Sequence, residues 1–239
     1  MTRQEFLDLL TWIHAEVPDA SRTLARLRRQ RQAPFLRVLL GTILSHQTTS
    51  RQTRLATERL WRSYQTVERL AEAEPAQIAR LIRNVGLGGI KARRVVAIAA
   101  EIAERWTSAT RLARYVGSAP LEDARRALLA LPGVGPKTAA VVLLFRFNRP
   151  TFPVDTNILR VAQGLGWVGR GADPEDVRAV VERILPRDPA LLLKAHAYLI
   201  ALGRVTQRGR RQDLIDRLRD FGAGRGAVKR SSSRRAARM

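Results

Sequence analysis

A lysine and an aspartate, eighteen residues apart, have the types and positions that covalent chemistry requires. Lys137 lies in the first turn of a predicted helix, where its positive charge opposes the helix dipole. A neutral lysine amine is a nucleophile that can form a Schiff base. Asp155 follows Pro153 and Val154, a position that suits either an N-cap or a carboxylate directed at whatever Lys137 attacks. Capping alone is the commoner role of such an aspartate, and both roles stay open at this stage.

The sequence LPGVG at residues 131–135 predicts a tight hairpin between two helices. Gly133 and Gly135 allow positive φ and a close approach of the backbone, and Val134 is expected to fill the hairpin from within. The next helix begins near Pro136 with free amide groups, which can bind a phosphate without regard to sequence. Two glycines in such a turn are also typical of an ordinary helical hairpin.

Apolar residues recur at helical spacing almost throughout the chain, and strand signals are nearly absent. Proline and glycine clusters fall where helices should end. We therefore predict an all-α protein of about ten helices of ordinary length. No fixed-period repeat is present, which argues against a solenoid.

The composition limits which classes of binding partner and which cellular compartment are expected. The chain has 239 residues, 43 Lys and Arg against 21 Asp and Glu, a net charge of +22, a pI near 11.8 and no cysteine. It therefore has no disulfide framework, zinc ribbon or cysteine-held cluster, and a reducing, cytoplasmic location is expected. A polyanion is the expected neighbour, with nucleic acid favoured over an anionic membrane, although the arginine content also fits a genomic bias. No apolar run is long enough to span a bilayer.

Residues 131–161 closely resemble the helix-hairpin-helix and Gly/Pro-rich loop with its aspartate in base-excision DNA glycosylases of the endonuclease III type. Residues 195–206 resemble the helix that leads into the metal-cluster region of that family. The resemblance covers about residues 30–207, in family order.

Two further segments carry the same resemblance. Residues 40–49 resemble the helix end that presents a glutamine to the duplex, here Gln47. Residues 85–92 resemble the loop whose leucine, here Leu87, wedges into the base stack. An enzyme that must reach C1′ extrudes the nucleotide from the duplex, and these two side chains would fill the gap.

The resemblance implies roles for individual residues. Lys137 would attack C1′ and, through a Schiff base, permit strand cleavage by β-elimination, while Asp155 would assist deprotonation or stabilise the developing positive charge. The implied DNA-binding residues are Gln47, Leu87, Gly133, Val134, Gly135 and Thr138. No cofactor is expected, apart from a monovalent cation on the backbone oxygens of Leu129, Leu131 and Val134.

The resemblance also implies two closely packed helical subdomains with a cleft between them. One comprises about residues 32–150, and the other residues 1–31 with 151–221, so that the glycosylase domain spans residues 1–221. Residues 222–239 carry six basic residues and no acidic one, which predicts a disordered tail. This tail is either a passive solubilising end or an anchor on phosphates.

The chain departs from the family at several places. Gln207 and the residues after it replace the four cysteines that usually hold a [4Fe–4S] cluster. We predict that residues 208–221 form a short packed helix in its place, through Leu214, Ile215, Leu218 and Phe221. Where the family has Asp-Thr-His, this chain has Asn157 in place of the histidine. Residues 107–120 are longer than the common pattern and predict an extra turn or a short helix. The three histidines are interpreted as helix-surface or packed residues: His14, His46 and His196.

Three functions compete. The first is a monomeric glycosylase and AP lyase that removes oxidised pyrimidines from duplex DNA in the cytoplasm, associated with the nucleoid. The second is a related glycosylase for mismatched or alkylated bases. The third is a non-catalytic DNA-binding module, against which the pair of Lys137 and Asp155 argues.

Overall fold

A computed structural model of the chain describes residues 1–207 together with Asp213, Leu214 and Arg217. The predicted basic tail at residues 222–239 lies outside the described residues. So do Ile215, Leu218 and Phe221 of the predicted C-terminal helix.

Residues 1–207 form thirteen α-helices and a 3₁₀ turn, with no strand, which confirms the all-α prediction. Three more helices occur than the roughly ten expected. Two of the thirteen, α5 and α6, have only five and seven residues, too few to show a periodic apolar pattern. The helices are α1 Arg3–Glu16, α2 Asp19–Arg28, the 3₁₀ turn Arg29–Gln32, α3 Phe35–Leu44, α4 Ser50–Ser63, α5 Val67–Ala71, α6 Pro75–Leu81, α7 Gly88–Trp106, α8 Ala109–Ser118, α9 Leu121–Leu129, α10 Pro136–Phe147, α11 Thr156–Gly164, α12 Pro174–Ile184 and α13 Pro189–Val205.

The helix starts follow local sequence signals. The side chain of Thr49 caps α4 by accepting the Gln52 amide, and Ser108 caps α8 in the same way. Asp173 begins α12 with a capping box, in which proline occupies the next position. Residues 107–120, predicted as an extra turn or a short helix, contain the helix α8.

The chain divides into two compact units. The central unit comprises Ala25–Pro153 and Arg187–Leu193. The terminal unit comprises Met1–Leu24, Val154–Pro186 and the described residues from Lys194 onward. The sequence-based division assigns residues 25–31, 151–153 and 187–193 to the other part.

The central unit is built around α7. Its apolar face, which includes Ala92, Val95, Ile98 and Ile102, is fully buried and packs against α3, α5, α6 and α8. Full burial of one such aliphatic side chain is worth about 1.5–3 kcal/mol. The same core holds α10 through Ala139, Val142 and Leu143, and thereby fixes the position of the hairpin that precedes α10.

The terminal unit packs α1 with residues near α11 and on α13. The Phe6 ring lies 5.3 Å from the Trp167 ring. His14 stacks on Tyr198, and its Nδ1 lies 3.1 Å from the Tyr198 hydroxyl. His14 is thus a surface histidine with packed partners, and His196 is buried on α13, both as predicted.

Among the described residues, none of the helices is both long enough and apolar enough to cross a membrane.

Candidate functional site

The hairpin between α9 and α10 is a tight turn whose inner residue is buried. The Val134 amide donates to the Leu131 carbonyl over 3.1 Å, and the Val134 side chain belongs to the central core. Gly133 has a φ of 71°, and a Cβ at that position would overlap the Arg94 side chain. Gly135 is extended, with a φ of −91°, so the expected positive φ occurs at only one of the two glycines.

The helix after the hairpin begins with Pro136, and no side chain caps its N-terminus. Its first-turn amide groups therefore donate to no capping side chain and lie at the positive end of the helix dipole. Lys137 is exposed in this turn, whereas the Thr138 side chain is buried. Thr138 and Val134 can thus reach a ligand only through their backbone.

Gln47 and Leu87 lie in two loops with the same unusual conformation. Gln47 belongs to the Gln47 loop, residues 45–49, and Leu87 to the Leu87 loop, residues 82–87. Both are exposed and have left-handed backbones, with φ of 50° and 60°, and the Leu87 side chain is 55% exposed. A left-handed conformation costs a residue with a side chain about 1–3 kcal/mol and is concentrated at functional sites.

The structure brings these two loops together. A Cβ at Gly86 would lie 3.4 Å from the carbonyl oxygen of Gln47, so the backbone beside Leu87 abuts Gln47 directly. Asn84 links the Leu87 loop to the first turn of α4, which follows the Gln47 loop, because its Nδ2 donates to the Gln52 carbonyl over 2.8 Å. The backbone segments that carry these two exposed side chains therefore lie in contact.

Asp155 is the N-cap of α11. Capping is one of the two roles that the sequence leaves open for it, and the other is a carboxylate directed at the target of Lys137. Its Oδ1 accepts the amides of Asn157 and Ile158, each over 2.9 Å, and its Oδ2 accepts the Asn157 side-chain amide over 2.9 Å. The carboxylate is largely buried and held in one orientation. Gly203 on α13 permits this arrangement, since a Cβ there would lie 2.7 Å from the Asn157 Cβ.

Comparison with known proteins decides the family. The model of the HhH-GPD superfamily of base excision DNA repair proteins matches residues 40–187. The endonuclease III of Thermotoga maritima is 35% identical over 161 residues, which are 67% of this chain and 70% of the relative. The chain belongs to the HhH-GPD superfamily. It is a base excision repair enzyme, a DNA glycosylase of the endonuclease III type with the AP-lyase activity typical of that type.

Two solved structures support the same conclusion. A non-covalent endonuclease III–DNA complex matches with a TM-score of 0.74 and 26% identity, over 95% of this chain and 99% of that chain. A trapped endonuclease III–DNA covalent intermediate matches with a TM-score of 0.68 and 27% identity, over 85% of this chain and 87% of that chain. Both neighbours are complexes with DNA, and this HhH-GPD enzyme binds DNA as well.

The residues of this HhH-GPD enzyme do not fit an iron–sulfur cluster. The sequence contains no cysteine, and the described residues contain no group of three or more side chains that could hold a metal ion. Where the resemblance places the cluster, Leu214 is 1% exposed. Arg217 donates to both carboxylate oxygens of Glu16, over 2.7 and 3.0 Å, and lies over the Trp12 ring.

No motif in the sequence indicates which groups surround Thr138. His46 Nε2 lies 3.2 Å from Thr138 Oγ1. Burial lowers the pKa of His46, and the positive charges of Lys137, Arg94 and Lys91 lower it further. The sequence predicts a surface or packed His46, and the structure places this half-buried histidine beside Thr138 in the candidate site.

Proposed function

We propose that this glycosylase removes oxidised pyrimidines from duplex DNA, and that Lys137 is the nucleophile that also supports strand cleavage. One observation supports the assignment of Lys137 as the nucleophile. The chain has four lysines, and among the three in residues 1–207 only Lys137 is exposed. Lys91 is buried, and Lys194 is half-buried with its Nζ 5.6 Å from the centre of the Tyr198 ring. Among the described residues, Lys137 has no ion-pair partner that would restrain its amine.

The chemistry follows from the amine. The neutral Nζ of Lys137 attacks C1′ of an extruded nucleotide, and the bond from C1′ to the base breaks with its electron pair on the base, which is then protonated. Opening of the sugar leaves a protonated Schiff base between Nζ and C1′. Removal of a proton from C2′ then expels the 3′ phosphate, and hydrolysis of the Schiff base frees the lysine. Asp155 accepts a proton or stabilises positive charge during the first step.

The remaining predicted residues contribute to DNA binding in this proposal. Gln47 and Leu87 occupy the space left by the extruded nucleotide, which their exposure and adjacency support. Gly133, Val134, Gly135 and Thr138 offer backbone amides to a phosphate at the start of α10.

The hairpin carbonyls are also proposed to hold a monovalent cation, through Leu129, Leu131 and Val134. The Leu131 oxygen already accepts the Val134 amide, and its second lone pair is the one that a cation would use.

The proposed substrate is duplex DNA with a damaged base or an abasic site, and the net charge of +22 favours its binding. In this proposal the enzyme acts as a monomer in the cytoplasm, associated with the nucleoid.

Borohydride trapping tests the proposal. Duplexes that carry thymine glycol or an abasic site are incubated with the enzyme and borohydride, and the covalent adduct is measured. The wild type and Lys194→Ala should form the adduct, and Lys137→Ala should not. An adduct that persists in Lys137→Ala would overturn the nucleophile. Faster release of an alkylated or mismatched base than of thymine glycol would favour the other glycosylase class.

A further inference from the structure

Lys91 is a buried lysine whose three hydrogen-bond partners all lie in or beside the Gln47 loop. The side chain is 2% exposed, and its Nζ donates to the carbonyls of Leu44 and His46, over 3.0 and 2.5 Å, and to Thr48 Oγ1, over 2.8 Å. These three acceptors match the three N–H groups of an ammonium. Among the described residues, Lys91 has no carboxylate partner.

The acceptors lie on both sides of Gln47. The Leu44 carbonyl belongs to the last turn of α3, where carbonyl groups have no partner within the helix and the dipole attracts a cation. The His46 carbonyl and the Thr48 hydroxyl flank Gln47 directly. The ammonium thus holds the backbone carbonyl immediately before, and the side chain immediately after, the residue whose φ is 50°.

The backbone of the same lysine holds the second loop. The Lys91 amide donates to the Leu87 carbonyl over 3.0 Å, which closes the first turn of α7 upon Leu87. One residue therefore contacts the Gln47 loop through its side chain and the Leu87 loop through its main chain.

A lysine at this position is unfavourable for the core alone. Burial and the nearby Arg94 guanidinium lower the pKa of Lys91, because both disfavour its charge. A buried charge without an anion is destabilising unless hydrogen bonds compensate for the lost water. For Lys91, the hydrogen bonds that compensate for the lost water are those to the Leu44 and His46 carbonyls and to the Thr48 hydroxyl.

We infer that Lys91 is a positioning residue, which holds Gln47 and Leu87 side by side so that both enter the duplex as one wedge. This inference rests on the proposed function of those two residues. It assigns to Lys91 no contact with DNA and no part in the covalent chemistry.

Two measurements on the full chain test it. Hydrogen–deuterium exchange of the protein without DNA reports the order of residues 44–48 and 86–90. The fluorescence of 2-aminopurine beside an abasic-site analogue reports the unstacking of the duplex. The variants are Lys91→Met, Lys91→Arg, which keeps the donors, and Thr48→Val, which removes one acceptor. Arg105→Met, at the far end of α7, is the control for the loss of one positive charge.

Lys91→Met should exchange faster in both loops and lose most of the fluorescence increase, and should cleave abasic DNA about tenfold to 100-fold more slowly. Its affinity for undamaged duplex should equal that of Arg105→Met. Lys91→Arg should recover part of the fluorescence, and Thr48→Val should show an intermediate loss. If Lys91→Met does not fold, Thr48→Val and Lys91→Arg provide the same comparison.

The outcomes separate the two proposals. Unchanged exchange and fluorescence in Lys91→Met and Thr48→Val would overturn the positioning role. Faster exchange in these variants, together with a wild type that unstacks none of the duplexes tested, would support the positioning of the loops and overturn the wedge on which the inference rests.

Discussion

The side chains of His46 and Thr138 meet, with 3.2 Å between Nε2 and Oγ1, although 92 residues separate them in sequence. The contact joins the loop that carries Gln47 to the first turn of the helix that carries Lys137. The proposed wedge and the proposed nucleophile thus belong to one connected network, in which Lys91 holds the same loop through the His46 carbonyl.

His46 should make stability depend on pH. Its pKa is lower in the folded protein than its ordinary value of about 6.5, because burial and three neighbouring cations disfavour its charge. As pH falls through that value, the unfolded chain binds a proton that the folded protein does not, so the free energy of unfolding decreases. Urea unfolding at about pH 7.5 and pH 5.5 should show a smaller decrease in His46→Gln than in the wild type. Equal decreases in the two proteins would show that His46 is not the group responsible.

Asp155→Asn should separate capping from chemistry. Asparagine caps a helix about as well as aspartate, and its side-chain oxygen can still accept the amides of Asn157 and Ile158, so the melting temperature should stay close to that of the wild type. Base release should fall about 10²-fold to 10⁴-fold, because the carboxylate charge is lost. Asp155→Ala should in addition lose about 1 kcal/mol of stability. If Asp155→Asn releases thymine glycol at the wild-type rate, Asp155 is a cap alone.

Alanine substitutions at the two hairpin glycines should affect different properties, stability at Gly133 and DNA binding at Gly135. Gly133→Ala should lower the free energy of unfolding by about 1–2 kcal/mol from its φ of 71° alone, and the overlap with Arg94 should add to this. Gly135→Ala should fold normally, because its φ is −91° and a Cβ would meet nothing within 4 Å. It should nevertheless bind undamaged duplex more weakly, since the added methyl group would obstruct the proposed phosphate site at the start of α10. Fluorescence anisotropy over a series of salt concentrations measures this, and wild-type affinity in Gly135→Ala would place the phosphate elsewhere.

The C-terminal segment should be held by apolar packing more than by its ion pair. Leu214 is 1% exposed, and Leu214→Ala should lower the free energy of unfolding by about 2–5 kcal/mol. Glu16→Gln removes the charge that Arg217 contacts at a partly exposed pair, and should lower it by no more than about 1 kcal/mol. Urea unfolding of both variants gives the comparison. A Leu214→Ala protein as stable as the wild type would exclude this segment as a substitute for the cluster.

Local signals predicted those parts of the fold that depend on neighbouring residues. The apolar spacing predicts the helices, and Asp155 caps α11 because its carboxylate meets amides only two and three residues away. The hairpin is also local, apart from the contact between Gly133 and Arg94. The short helices α5 and α6 escaped prediction because five or seven residues carry too little periodicity.

The sequence by itself determined the all-α class, the absence of cysteine ligands for a cluster and the family to which the chain belongs. The role of Lys137 as nucleophile stays a prediction. Only the tertiary structure decided which side chains hold these parts in place. Lys91 resembles any charged residue of a helix until α7 packs beside the Gln47 loop, and Gly203 resembles any small residue until α13 meets Asn157. The physical reason is that a buried charge or a close approach is set by contacts between residues more than 40 positions apart, to which no local pattern responds.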